Sequence, residues 1–138
     1  MIKVSKQLSK QGEYIRYTVF ILEQGFNVEI DELDSSSFHV VYYLKDNPVA
    51  ACRFYLENDN VSYHLGRFAV LKEYRNKHIG KEMLKEVIEY IKQLGGKQIV
   101  LSSQLDAVGF YLKSGFEVVS DIYYEQHCPH KDMILKIR

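Results

Sequence analysis

Apolar positions recur along this chain with two periods, and the change of period marks out the elements. Within residues 79–92, Ile79, Met83, Leu84, Val87, Ile88 and Ile91 fall at steps of three and four, while Glu82, Lys85, Glu86, Glu89 and Lys92 fill the other side. That spacing predicts an amphipathic helix. It ends at Gly95-Gly96, where a left-handed cap costs little. Residues 61–70 before it are rich in β-branched and aromatic side chains, and residues 98–102 after it form a short apolar run, so both read as strands. Strand, helix, strand makes a βαβ unit with parallel strands.

Upstream, residues 38–44 and 49–56 flank the polar turn Lys45-Asp46-Asn47-Pro48, and Asn58-Asp59-Asn60 turns the chain into residues 61–70. An antiparallel meander of three strands follows. A short strand at residues 2–5 precedes a second helix over residues 9–24, with Ile15, Val19 and Leu22 on one face. A third helix over residues 105–114 buries Val108, Leu112 and Phe110 or Tyr111 and closes at Gly115, and strands at 116–119 and 133–137 complete the chain. The sum is one α/β domain over residues 1–138, with a mixed, mostly antiparallel central sheet and helices on both faces.

Composition narrows the picture. The 138 residues are 46% hydrophobic and 26% charged, proportions that suit one folded core and exclude disorder, collagen or a coiled coil. Eighteen basic residues balance 18 acidic ones, which argues against a dedicated binder of nucleic acid or anionic membrane. No apolar run approaches the roughly 20 residues that span a bilayer. The opening MIKVSKQLSKQG lacks the apolar core of a secretory signal, so a cytoplasmic protein is expected, with Cys52 and Cys128 as free thiols.

Candidate chemistry gathers at the start of the central helix, where Arg75, Lys77, His78 and Lys81 surround Gly80. Cations there oppose the helix dipole by about 0.3–1 kcal/mol each unless an anion offsets them. Unpaired helix N–H groups beside them make a site suited to a pyrophosphate, although the loop is neither a GxGxxG nor a GxxxxGK[ST] sequence.

At these residues the sequence resembles a known family. Arg75-Asn76-Lys77-His78-Ile79-Gly80 following Arg67-Phe68-Ala69-Val70 is similar to the Q/R-x-x-G-x-G/A acyl-CoA signature of the GCN5-related N-acetyltransferases (GNAT). Downstream, the stretch from Gln104 through Ala107, Phe110 and Tyr111 to Gly115-Phe116 resembles the family's N-x-x-A-x-x-x-Y-x-x-x-G-F segment. More narrowly, Arg16, residues 19–24, the acidic run Glu29, Asp31, Glu32 and Asp34, and Pro129-His130 with Met133 resemble the small bacterial ElaA/YjcF-like subgroup.

The resemblance implies a GNAT fold and transfer of an acetyl group from acetyl-CoA to a primary amine, on a small molecule or a peptide, by direct attack in a ternary complex. A CoA-binding regulatory module without turnover is the alternative. It further implies that the amides of Asn76 through Lys81, including Ile79, hold the CoA pyrophosphate, and that the main chain of Phe68, Ala69 and Val70 pairs with the pantetheine arm. Gln104, where the family has Asn, touches the same arm, and Tyr111 protonates the departing thiolate. His78 stands where a glycine is common, so either the cradle is looser or the backbone keeps a negative φ.

The base that frees the amine is open among Glu23, His64 and His130. Arg53 and Arg67 lie within strands, where each needs a carboxylate partner or a polar cleft, and Arg67 is also a candidate for touching substrate. The acidic run from Glu29 to Asp34 either attracts a cationic acceptor or is a solvated loop. His127-Cys128-Pro129-His130 lacks the second ligand pair of a zinc site, and Cys52 sits in an apolar run that reads as buried and inert. Monomer and homodimer are both open.

Overall fold

The computed structural model describes residues 1–27 and 29–137. The elements are β1 (Ile2–Ser5), α1 (Lys10–Arg16), β2 (Phe38–Leu44), β3 (Asn47–Leu56), β4 (Ser62–Val70), α2 (Ile79–Gln93), β5 (Gln98–Gln104), α3 (Val108–Leu112), β6 (Glu117–Val118), β7 (Tyr123–Glu125) and β8 (Cys128–Lys136). The strands form one sheet in the order β1-β2-β3-β4-β5-β8-β6, with β7 paired to β8. Every pairing is antiparallel except β4 with β5. The mixed, mostly antiparallel sheet expected from the sequence is therefore observed.

Alternation along the strands sends two apolar sets to opposite faces. Val40, Ala50, Cys52, Phe54, Leu65, Ile99, Leu101 and Met133 meet Ile79, Met83, Leu84, Val87 and Ile91 of α2 on one face. Val41, Ala51 and Ala69 meet Ile15, Val19 and Phe20 on the other. Burying each large aliphatic side chain contributes about 1.5–3 kcal/mol, so the α2 face holds most of the core. No helix among the described residues is long and apolar enough to cross a membrane.

Several expectations need correction. Ser9 caps α1 by accepting from the Gly12 N–H at 3.1 Å, but beyond Arg16 the helix widens into π turns over Tyr17–Glu23. The wider winding turns Leu22 out of the face it shares with Ile15 and Val19 in an α-helix, and it is 66% exposed. The helix expected over 105–114 is a 3-10 turn, Leu105–Ala107, followed by the short α3, which buries Tyr111 and leaves Leu112 50% exposed. The last strand begins at Cys128 rather than at 133, and β7, which its polar composition concealed, pairs with that early portion.

Gly95 and Gly115, at φ 92° and 94°, end α2 and α3 as the sequence indicates. Gly96 is required for a different reason: a Cβ there would lie 2.6 Å from Ile91 Cγ2 and 2.9 Å from Tyr63 Cδ1. Gly96→Ala is therefore expected to lower stability by about 1–3 kcal/mol through overpacking, read as a shift in the denaturant midpoint at unchanged slope.

Candidate active site

The site forms where two neighbouring strands part. The parallel ladder runs from Ser62 opposite Gln98 to Leu65 opposite Leu101, and there it ends, although β4 continues to Val70 and β5 to Gln104. The cause lies on the β3 side. The register of β3 and β4 shifts between Ala51 and Arg53, and Arg67 just beyond has φ 50°, a left-handed backbone that a side chain rarely adopts. This bulge swings the end of β4 away from β5 and opens a cleft of about 800 Å³.

Ion pairs hold the bulge in place. Arg67 reaches Glu29 Oε2 at 3.1 Å and Asp31 Oδ2 at 3.2 Å, and its Nε donates to the Glu29 carbonyl at 3.0 Å. Arg53 Nη1 donates to Asp31 Oδ1 at 2.7 Å and to Asp34 Oδ1 at 3.0 Å. Arg16, only 1% exposed, joins Glu29 and Asp34 at 2.5 and 2.7 Å. Three guanidiniums thus meet three carboxylates, as the strand arginines required. Glu29, Asp31 and Asp34 of the acidic run are thus engaged by arginines while Glu32 is exposed, and Arg67, which lines the cleft, is anchored by its two carboxylates. Burial alone would raise the Asp34 carboxyl, but Arg16, the Asp31 N–H and Arg53 outweigh it and hold the group well below the usual carboxylate range.

On the β4 wall, the Leu71 N–H donates to the Val49 carbonyl at 2.9 Å, which sets the alternation at the strand's end. Ala69 shares the β3 ladder, so the main-chain groups of Phe68 and Val70 point into the gap where β5 would have lain. The Val70 carbonyl there accepts from Arg75 Nε at 2.9 Å. Arg75 also clasps Glu23 with bonds of 2.5 and 2.7 Å. It therefore pins the end of the π-helical segment to the loop before α2 and is not a free cation. These bonds draw the Glu23 carboxyl below its ordinary value against the opposing effect of burial, which makes it a poor base.

The loop leading into α2 takes left-handed values at Asn76 and His78, both at φ 63°. His78 thus adopts the conformation a glycine would, and its backbone does not keep a negative φ. It caps α2 with no side-chain bond, and the first helical N–H to find a partner among the described residues is that of Glu82, to the His78 carbonyl at 3.0 Å. The amides of Ile79, Gly80 and Lys81 remain available, with Lys77 and His78 beside them. A Cβ on Gly80 would find ordinary contacts, 3.5 Å from Phe110 and from Val70 Cγ2, so nothing in the chain itself demands a glycine there. The space it leaves belongs to the cleft.

Tyr111 is buried at the cleft wall among Phe68, Phe110 and Phe116, and burial pushes its phenol up. Gln104, at the end of β5, donates to Gln24 Oε1 at 2.7 Å, a bond that joins the two walls. His130 stands directly opposite Gln104 on β8. His64 lies further back, paired to Glu57 at 2.9 Å and stacked on Tyr55. His127 turns to the Gln24 carbonyl, so it does not converge with His130 and Cys128, and no metal-holding group of His, Cys, Asp or Glu occurs among the described residues. Cys52 is a buried free thiol pushed up by burial.

The description "Acetyltransferase (GNAT) domain" belongs to the family model that matches residues 4–137. The chain is a member of the GNAT acetyltransferase family. An uncharacterized N-acetyltransferase of Bacillus subtilis, YjcF, is 31% identical over 137 residues, covering 97% of this chain and 96% of the relative. The crystal structure of Escherichia coli ElaA superposes with a TM-score of 0.82 at 26% identity, covering 97% of this chain and 99% of that one. A GNAT acetyltransferase from Elizabethkingia anophelis with acetyl-CoA bound shares the fold, with a TM-score of 0.74 at 18% identity over 99% of this chain and 98% of that one.

Some residues of this GNAT cleft escaped the sequence motifs. Gln24 and Phe26 line it from the end of the first helical segment, and Ser102, Tyr123 and Asp132 form a hydrogen-bonded array on its far side. Burial, then Asp132, pushes the Tyr123 phenol up to about 12. The strand preference of Tyr123 and Tyr124 was the available signal for that strand, but three residues are too few to read.

Asp34 carries the clearest consequence for stability. Its contribution is whole above its unfolded pKa near 4 and is lost as pH falls through the lower folded value. Asp34→Asn is expected to cost about 3 kcal/mol at neutral pH and to flatten the loss of stability below about pH 4, measured by denaturant unfolding across acid pH.

Proposed function

We propose that this protein transfers an acetyl group from acetyl-CoA to a primary amine by direct attack within a ternary complex. The observation that carries the reading is the parting of β4 from β5 beside a helix start with unpaired amides. In this reading the amides of Asn76 through Lys81 receive the pyrophosphate, with Lys77 adding charge and His78 beside it. The inward main-chain groups of Phe68 and Val70 replace the missing strand for an amide-bearing pantetheine arm, and Gln104 touches the same arm. The room at Gly80, which packing within the chain does not require, supports the same placement.

The chemistry follows from the walls. A neutral amine attacks the thioester carbonyl, and an N–H of the β4 end facing the gap stabilises the tetrahedral oxyanion. Tyr111 gives its proton to the leaving thiolate. Burial raises its phenol, so the proton stays on the oxygen until the thiolate departs.

Calorimetry with acetyl-CoA, CoA and ATP tests the site. The expected outcome is tight binding of both thiol carriers and weak binding of ATP; equal or absent binding of all three contradicts the reading. Tyr111→Phe is expected to slow transfer about 10²-fold or more while changing CoA affinity little, measured by single-turnover transfer against calorimetry. A module that merely binds CoA would show no transfer to any amine.

A further inference from the structure

Resting on that reading, we propose that His130 is the general base, taking the acceptor's ammonium proton on Nε2. Its side chain is anchored and almost enclosed, with the residue 4% exposed. Nδ1 lies 2.9 Å from the Cys128 carbonyl, which can only accept, so Nδ1 carries the hydrogen. In the neutral ring Nε2 then holds the lone pair. Nε2 makes no hydrogen bond to a described residue, and His130 lines the cleft. Glu125 Oε2 lies 3.7 Å away, placed to stabilise the imidazolium once the proton has arrived.

Position agrees with this role. His130 sits one strand away from Gln104, beside the place of the pantetheine arm and thus close to where an amine meets the thioester. Of the other two candidates, Glu23 is committed to Arg75, and His64, whose Nδ1 is held by Glu57, sits opposite Val100 where β4 and β5 are still paired, short of the point at which they part. The charged and titratable groups around the ring are Glu125 and Tyr123 of β7, Cys128 and Asp132 of its own strand, and Asp106 in the turn after β5. Three of them are carboxylates, so they favour the arrival of a cationic amine.

The step balances as follows. One ammonium proton passes to His130 Nε2, and the freed lone pair forms the C–N bond. The C–S bond breaks with its electron pair on sulfur, which takes the Tyr111 proton. The second nitrogen proton, released as the amide forms, restores the phenol, and His130 returns its own proton to solvent.

The test compares two acceptors. An alkylamine is almost wholly protonated at neutral pH and needs a base, whereas hydroxylamine is already neutral and does not. His130→Asn keeps a donor for the Cys128 carbonyl and removes Nε2. Transfer to the alkylamine should fall about 10²-fold or more and transfer to hydroxylamine less than about threefold, with acetyl-CoA affinity and melting temperature unchanged. His130→Gln, which places an amide near Nε2, should show the same split. Equal losses with the two acceptors, or no loss with the alkylamine, overturn the assignment. Wild-type protein that binds acetyl-CoA but transfers to neither acceptor overturns the transferase reading, and this role with it.

Discussion

The cleft depends on the ion pairs between Arg67 and the carboxylates of Glu29 and Asp31. A non-glycine residue held at φ 50° costs on the order of 1–3 kcal/mol, and without a compensating contact the end of β4 would relax toward an ordinary ladder with β5. Glu29 and Asp31 belong to the segment after the first helix, and they reach Arg67 together with Arg16 and Arg53. The N-terminal quarter of the chain is therefore what keeps the middle of the sheet open. Because three charges of each sign meet and Arg16, Arg53 and Glu29 among them are buried, losing one partner strands another, which couples the contacts to each other.

The same segregation gives the cleft polarity although the chain as a whole has no net charge. Lys77, His78 and Lys81 lie at the α2 end with helix amides beside them. Glu125, Asp132 and Asp106 line the cleft outside the arginine cluster. In a partly enclosed space these fields are screened less than on an open surface. On the function proposed above, an anionic carrier would be drawn to the basic side and a cationic acceptor to the acidic one.

Much of the fold was legible because two signals, helical periodicity around Met83 and Val87 and strand composition either side, reinforced each other in one unit. The position of the cleft was legible through Gly80 and Tyr111. What escaped had physical causes. Leu22 fits an α-helical face, and only tertiary packing reveals that the helix has widened there. Leu112 reads as core, but α3 is too short to present a full apolar face. Arg53 and Arg67 advertise that they need partners, yet which carboxylates answer, and that Arg16 joins them, is a matter of long-range folding. Glu23 looked available as a base until Arg75, 52 residues away in sequence, was seen to hold it.

The bond between the side-chain amides of Gln24 and Gln104 bears on which molecules gain entry. It crosses the groove like a clasp, and anything threading between the walls must undo it. A guest carrying amides of its own exchanges one such bond for another, at almost no net cost. A guest without them leaves two polar ends stranded. The groove therefore sorts its visitors by what they return to the clasp, before any reactive atom comes into play.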